Sequence, residues 1–160
     1  MSRAPVVIGI DPGLSGALAA LDATGRVVEA MDVPTLETGN GRRTVNVLAL
    51  RELLQALLPI RSCWIENVAA MPTDSRVAAF AFGRSVGAIE TACLLSGVPV
   101  QRVTPQAWKR AAGLPAGVPK AASVETALRL LPGGAPYLTR AKDHGRADAL
   151  LIARYGLSAT

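Results

Sequence analysis

Three short apolar runs precede the first helical pattern in this chain, and from there helix-like and strand-like stretches alternate, an order that leaves few folds open. Val6-Val7-Ile8-Gly9-Ile10 is a β-branched run suited to a buried strand, and Asp11-Pro12-Gly13 stops it with a strong turn signal. Gly13 and Gly16 bracket a tight turn. Ala17 to Leu21 and Arg26 to Val33 read as two further strands joined by a hairpin around Thr24-Gly25, so the chain begins as a three-strand meander. Pro34 to Arg43 carries Gly39-Asn40-Gly41 ahead of Arg42 and Arg43. That composition predicts a mobile loop rather than a packed element, with two arginines placed to touch a ligand.

Asn46 is a candidate cap for a helix whose Leu50, Leu53, Leu54, Leu57 and Leu58 follow the spacing of one buried face, ending at Pro59. Ser62 to Ile65 reads as the next strand, terminated by Glu66 and Asn67. Ser75 starts a long helix to about Leu95, closed by Gly97. Val98 to Val103 is a strand, and Thr104-Pro105 is a cap followed by proline at the first helical position. Two more helices are predicted, from about Pro119 to Leu131 and from about Gly145 to Tyr155. The order fits an α/β domain with a mixed sheet: an antiparallel meander on one side, and parallel strands added through helical crossovers.

Composition narrows the class. The 160 residues suffice for one domain that buries about two thirds of its unfolded surface, and residues 1–160 are read as that single domain. A chain that is 50% hydrophobic and 18% charged is too apolar to be disordered. No uninterrupted apolar run nears the roughly 18 residues of a membrane span, and the opening Met1-Ser2-Arg3-Ala4-Pro5 lacks a signal-peptide pattern. No membrane association and a cytoplasmic location, bacterial or in a phage-infected host, are the expectation. Cys63 and Cys93 lie in apolar stretches without metal-ligand spacing and are expected as buried reduced thiols. The net charge is +5, and the stretch from Arg102 to Arg154 holds nine basic residues against Glu125, Asp143 and Asp148. A polyanionic partner fits that bias, although a solvated basic face would look the same.

Asp11 and Glu66 each stand at the carboxyl end of an apolar strand, where open α/β sheets place ligands. Asp148 lies among small and apolar neighbours in the last helix, Arg146-Ala147-Asp148-Ala149-Leu150-Leu151-Ile152-Ala153. A carboxylate on the buried side of a helix is costly unless it is paired or ligated, so three such acids facing one point suggest hard divalent cations. His144, four residues before Asp148, shares its helical face if the helix begins that early. The chemistry that fits is two-metal phosphodiester hydrolysis with Mg²⁺, for which Mn²⁺ can substitute. Taken singly, Asp11 can equally be a turn former, Glu66 a salt-bridge partner, and Asp148 a partner of Arg146 or Arg154.

A resemblance ties these residues together. Val7-Ile8-Gly9-Ile10-Asp11-Pro12-Gly13-Leu14-Ser15-Gly16-Ala17-Leu18-Ala19 resembles the opening of RuvC-type Holliday junction resolvases, and Trp64-Ile65-Glu66-Asn67-Val68 resembles their second acidic strand. Gly145-Arg146-Ala147-Asp148-Ala149-Leu150-Leu151-Ile152-Ala153 is similar to the last helix of the phage and organellar branch. The resemblance implies a ribonuclease H-like fold, a five-stranded mixed sheet flanked by helices. It implies a Mg²⁺-dependent endonuclease that cuts branched DNA with paired symmetric nicks. Asp11, Glu66 and Asp148 become metal ligands and His144 the fourth, with Asp143 next to it as the alternative. Pro105-Gln106-Ala107-Trp108-Lys109-Arg110 and Lys120-Ala121-Ala122-Ser123 resemble the segments that carry two basic residues near the scissile phosphate, with Lys109 and Lys120 as the matches. Lys120 joins the catalytic set on this reading. Arg42, Arg43 and Arg146 join the two lysines as DNA contacts.

The Ser75 to Leu95 helix has Ala79, Gly83 and Gly87 at spacings of four, a flat stripe for close packing either on its own sheet or on a partner. The resemblance places that helix at a two-fold interface and so implies a homodimer, as two symmetric cuts require. One departure is visible. Where some bacterial members carry an aromatic wedge after the second acid, this chain has Val68-Ala69-Ala70-Met71-Pro72, with Met71 as a substitute or as core or loop packing. Two other readings stay open: a DNA-structure-binding module without turnover, and an ATP-binding domain, because Asp11-Pro12-Gly13-Leu14-Ser15-Gly16 also resembles the phosphate-binding hairpin of the sugar-kinase and actin-like superfamily. Length argues against the second, which needs two such domains around its nucleotide.

Overall fold

The structure is a computed structural model that describes residues 4–160; Met1, Ser2 and Arg3, part of the N-terminal segment read for a signal peptide, lie outside the described residues. In chain order the strands are β1 (Val6–Asp11), β2 (Ala17–Asp22), β3 (Val27–Asp32), β4 (Thr35–Glu37), β5 (Arg43–Val45), β6 (Ile60–Glu66) and β7 (Val100–Val103). The helices are α1 (Val47–Leu57), α2 (Arg76–Leu95), α3 (Pro105–Ala112), α4 (Ala121–Leu130) and α5 (His144–Ala159), with a 3-10 turn at Pro132–Tyr137. Five strands form the sheet in the order β3-β2-β1-β6-β7. The meander β1, β2 and β3 is antiparallel, while β6 runs parallel to β1 and β7 parallel to β6. This is the mixed sheet expected from the sequence.

Local chemistry sets the element ends. The Asp22 carboxylate closes the β2–β3 hairpin by accepting from the Thr24 and Arg26 backbone N–H groups, and Gly25 takes the positive φ that the turn needs. Asn46, Ser75 and Thr104 cap α1, α2 and α3, each side chain accepting from the N–H three residues on. Alternation along the strands then separates two cores. Ile8, Ile10, Leu18, Ala20, Cys63 and Ile65 pack with Leu50 and Leu54 of α1 and Ile89 of α2. Ala17, Ala19 and Leu21 point the other way, onto Ala149, Leu150 and Ala153 of α5.

The tight α5 contact depends on one glycine. A Cβ at Gly9 would lie 2.2 Å from the Ala149 carbonyl oxygen and 2.3 Å from the Ala153 nitrogen, so only glycine lets the helix backbone sit this close to β1. Cys63 and Cys93 are buried free thiols, their sulfurs 3.9 Å apart.

One expectation is overturned. The segment expected to be a mobile loop is a paired hairpin, with β4 and β5 antiparallel and Thr35 opposite Val45. Buried Val45 anchors it, and Gly39, Asn40 and Gly41 take positive φ to close the turn, so residues that signal a loop here serve a tight connection between short strands. The α2 stripe is also decided: a Cβ added at Gly83 or Gly87 would meet nothing within 4 Å, so the stripe does not pack on the sheet. The buried face of α2 is instead Ser85, Ile89, Ala92 and Cys93, which leaves Val77, Phe80 and Leu94 exposed. Among the described residues α2 is the single helix long and apolar enough to cross a membrane, and little of it is buried. Met71 is 63% exposed, which rules out core packing for it.

Candidate active site

Ile10 pairs with Ile65 across the parallel β1–β6 ladder, so Asp11 and Glu66 leave the sheet side by side at its carboxyl edge. The two-residue period puts Asp11 on the same face as Gly9, and Glu66 on the same face as Trp64. That face is the one α5 covers: Gly9 meets Ala149 and Ala153, and Trp64 meets Gly156. α5 begins at His144, early enough to place His144 and Asp148 one turn apart on one side of the helix. Its first turn lies against the β1 exit loop, since a Cβ at Gly145 would be 3.3 Å from Asp11 Oδ2 and 3.2 Å from the Ser15 carbonyl oxygen. Asp11, Ser15, Ser85, Phe82 and His144 line one cleft.

Burial and charge act on these acids together. Burial, then the neighbouring Asp148 and Glu66 carboxylates, push Asp11 up to about 8, while Lys120 and Lys109 pull it down. Burial also raises Glu66, with Asp148 adding to the effect and the Trp108 N–H opposing it. Asp148 is raised by burial against the opposing influence of the Ser123 hydroxyl, Lys109, His144 and Lys120. Mutual repulsion of this kind marks acids that a cation would relieve.

One oxygen stands out. Asp148 Oδ1 is buried without a hydrogen-bond partner, which native interiors rarely tolerate unless something else satisfies the group. Three carboxylates and an imidazole are a donor set that hard divalent cations accept, and an orphaned buried carboxylate oxygen is what such an ion would satisfy. The residues therefore fit a divalent metal in their chemistry. They do not form a closed cage: among the described residues no three His, Cys, Asp or Glu side chains stand as a group ready to hold one ion.

Two basic residues join the acids. Lys109 lies in the last turn of α3, its ammonium 5.4 Å from the centroid of the Trp108 ring. Lys120 occupies the position just before α4. Both pull the Asp11 and Asp148 carboxyls down against the rise that burial causes. Arg42 and Arg43 line a groove with Phe80 and Arg84, and Leu14, Ala78, Ala81 and Ser85 belong to both this groove and the Asp11 cleft. A basic surface thus runs into the acidic cleft.

Two expected site residues belong elsewhere. Arg146, expected as a DNA contact, donates to Asp32 Oδ1 at 2.8 Å and to the Tyr137 carbonyl at 3.2 Å, and only 20% of its side chain is exposed. Asp143, the alternative fourth metal ligand, is fully buried and accepts from the Arg140 backbone N–H and Nε at 2.7 Å each. The Arg140 and Arg146 guanidiniums hold its carboxyl below the usual range. Both residues tie β3 and the chain before α5 together, so their charges are consumed in holding the helix start. Asp148 pairs with neither Arg146 nor Arg154 among the described residues.

Trp108 was not expected in the site at all. Its buried indole N–H donates to Glu66 Oε1 at 2.8 Å. A tryptophan on the buried face of a short amphipathic helix needs a partner for that N–H, and this was the available signal.

Comparisons with known proteins follow the same lines. No family model matches the chain. The chloroplastic Holliday junction resolvase MOC1 of Chlamydomonas reinhardtii is 36% identical over 96 residues, which is 60% of this chain; the chain spans 11% of that relative's length. A solved structure of T. thermophilus RuvC in complex with Holliday junction substrate superposes with TM-score 0.70 at 24% identity, over 96% of this chain and 94% of that one. A second Thermus thermophilus RuvC structure gives 0.65 at 25% identity, over 96% and 95%. The sheet order and these superpositions give the chain the ribonuclease H-like fold of RuvC, and the resemblance read from the sequence is to the same group of proteins.

Proposed function

We propose that this RuvC-like chain is a metal-dependent endonuclease that resolves four-way DNA junctions, acting as a homodimer that places one cut on each of two strands. The observation that carries the reading is that Asp11 and Glu66 end neighbouring parallel strands, that the first turn of α5, which opens at His144 and precedes Asp148, lies against Asp11, and that Asp148 Oδ1 is buried and unpartnered. Asp11, Glu66 and Asp148, with His144 as fourth ligand, would hold the ions, Mg²⁺ first and Mn²⁺ as a substitute. Bound divalent metal supplies activation of the attacking water and stabilisation of the leaving oxygen.

The chain's own residues do the rest. Lys120 and Lys109 offset phosphate charge at the reacting centre. Trp108 holds one Glu66 oxygen in place. Arg42 and Arg43, with Arg84, attract an arm of the branched DNA along the groove that joins the cleft. The outward α2 face, with Gly83, Gly87, Val77 and Phe80, suits a second copy of the chain, and such a contact would cover the apolar surface. The compartment that fits is one that holds DNA, as a chloroplast does for the relative and a bacterial or phage-infected cytoplasm would.

The test is incubation of the protein with a synthetic four-way junction, a linear duplex and Y-shaped DNA, in Mg²⁺, in Mn²⁺ and in chelator. Paired nicks on the junction that need metal, and that vanish in Asp11→Asn and Glu66→Gln while junction binding persists, are the expected result. Cutting by either variant would overturn the metal assignment, and wild type that binds junctions but never cuts them would leave a binding module.

A further inference from the structure

The apolar core between the sheet, α1 and α2 contains one contact of a different chemical kind. Cys63 and Cys93, 30 positions apart in the chain, are both fully buried with their sulfurs 3.9 Å from each other. Cys63 sits in β6 opposite Ile8 of β1 and Val100 of β7, so paired strands on both sides hold its backbone. Cys93 lies one turn after Ile89 on the inward face of α2, two residues before the helix ends at Leu95. Its neighbours on that face, Ala88 and Ala92, put little bulk between helix and strand. Bonded sulfurs lie about 2 Å apart, so a covalent link needs an approach of about 2 Å, shared between two side-chain rotations and the end of one helix.

The last turn of α2 is the way in. Leu94 and Leu95 are exposed there, and the chain leaves the helix through Ser96 and Gly97, with Gly97 at a φ of +72°. Helix ends open locally at far lower cost than central strands, so one lost turn uncovers Cys93 while Cys63 stays in the sheet. The two thiols are also unequal. A hydrogen bond from Cys63 holds the Cys93 thiol below its ordinary pKa, while that same bond and burial push Cys63 up. The sulfur that ionises more readily is the one an oxidant takes first.

We propose that Cys63 and Cys93 form a redox site, which hydrogen peroxide closes to a disulfide that staples the end of α2 to the middle of β6. The Cys93 sulfur attacks the peroxide O–O bond, which breaks; a sulfenic acid forms, and the other peroxide oxygen leaves with the thiol proton as water. Cys63 then attacks that sulfur. The S–S bond forms, the S–O bond breaks, and the sulfenic oxygen leaves with the Cys63 proton as a second water. Two thiols give up two electrons and two protons, and one hydrogen peroxide takes them up.

The link closes a span of 30 positions that takes in Glu66 and nearly all of α2. A cross-link of that length removes conformations from the unfolded chain, so the oxidised protein is the more stable form. The reduced protein keeps a helix end that opens, and the oxidised protein does not. The site is independent of the nuclease reading, because a chain that cut no DNA would still carry it.

The experiment treats the folded wild type and Cys63→Ala with hydrogen peroxide, removes the excess with catalase, unfolds each protein in iodoacetamide and measures peptide masses. In wild type the peptides of Cys63 and Cys93 should appear as one linked pair that takes up no iodoacetamide, and a phosphine should separate them. Cys63→Ala, oxidised with dimedone present, should carry dimedone on Cys93, because the sulfenic acid has lost its partner. Oxidised wild type should melt about 5 °C or more above the reduced protein and return to the reduced value in phosphine. Thiols that stay free, a link between two molecules only, or a sulfinic acid on Cys93 beside an unmodified Cys63 overturns the site. An oxidised form that melts no higher than the reduced one overturns it too. If Cys63→Ala does not fold, the wild-type masses and melting curves decide. No DNA enters these measurements, so they and the junction-cleavage assay stand or fall separately.

Discussion

The indole N–H of Trp108 donates to Glu66 Oε1 at 2.8 Å, from a ring with no solvent exposure. The bond fixes one carboxylate oxygen and opposes the rise in Glu66 pKa that burial and Asp148 cause. Trp108→Phe keeps most of the packing and deletes only the donor. Loss of a hydrogen bond to a charged group is worth about 1.5–3 kcal/mol, so cleavage should fall by about tenfold to a hundredfold. The acid limb of the pH-rate profile should move to higher pH, because Glu66 then protonates more readily. A profile that keeps its shape while activity drops would make Trp108 a packing residue alone.

The acid cluster sets a pH dependence of stability that runs against habit. Asp11 is raised to about 8, and Glu66 and Asp148 are raised as well, so the folded state holds protons that the unfolded chain has released. Without metal, stability must therefore decline as pH rises from about 4 towards 8. Melting temperature in chelator should be lower at pH 8 than at pH 5.5. Asp11→Asn should raise the pH 8 value and flatten the trend, and adding a divalent cation to wild type should do the same. A wild-type curve that rises over this window would contradict the assignment.

Asp143 gives the opposite signature. Its carboxyl is held low by Arg140 and Arg146, so its contribution is present above the unfolded pKa and lost as pH falls below about 4. Asp143→Asn should lower the melting temperature at pH 7, yet leave the affinity of the folded protein for Mn²⁺, measured by calorimetry, as in wild type. A large loss of affinity with no loss of stability would return Asp143 to the ligand set.

Gly9→Ala tests how closely α5 must approach the sheet. The new methyl would meet backbone atoms of Ala149 and Ala153 near 2.2 Å, and backbone cannot yield as a side-chain tip can. Overpacking of this kind costs about 1–3 kcal/mol or more. Since Asp11 lies two residues along and Asp148 precedes Ala149, even the folded fraction should cut poorly. Wild-type melting and activity together would mean that the helix can move off β1 without cost.

Much of the fold was legible in order and pattern. The β-branched run before Asp11, the caps at Asn46, Ser75 and Thr104, and the stop at Gly97 act through near neighbours, and each mark falls where the element ends. The Pro34 to Arg43 segment misled because the same glycines and asparagine serve mobile loops and tight hairpins alike. The distinction lies in whether a residue such as Val45 finds a core to enter.

The candidate site divides in the same way. Sequence by itself determined that Asp11 and Glu66 end apolar strands and that Asp148 sits among small residues on a helix, because strand alternation and helical spacing are local geometry. Only the tertiary structure decided that Arg146 and Asp143 are consumed in the ion pairs around Asp32 and Arg140, and that Trp108 reaches Glu66. Partners in an ion pair or a buried hydrogen bond are chosen by distance in space, and residues 32 and 146, or 66 and 108, become neighbours only after the sheet has formed and α5 has closed over Gly9.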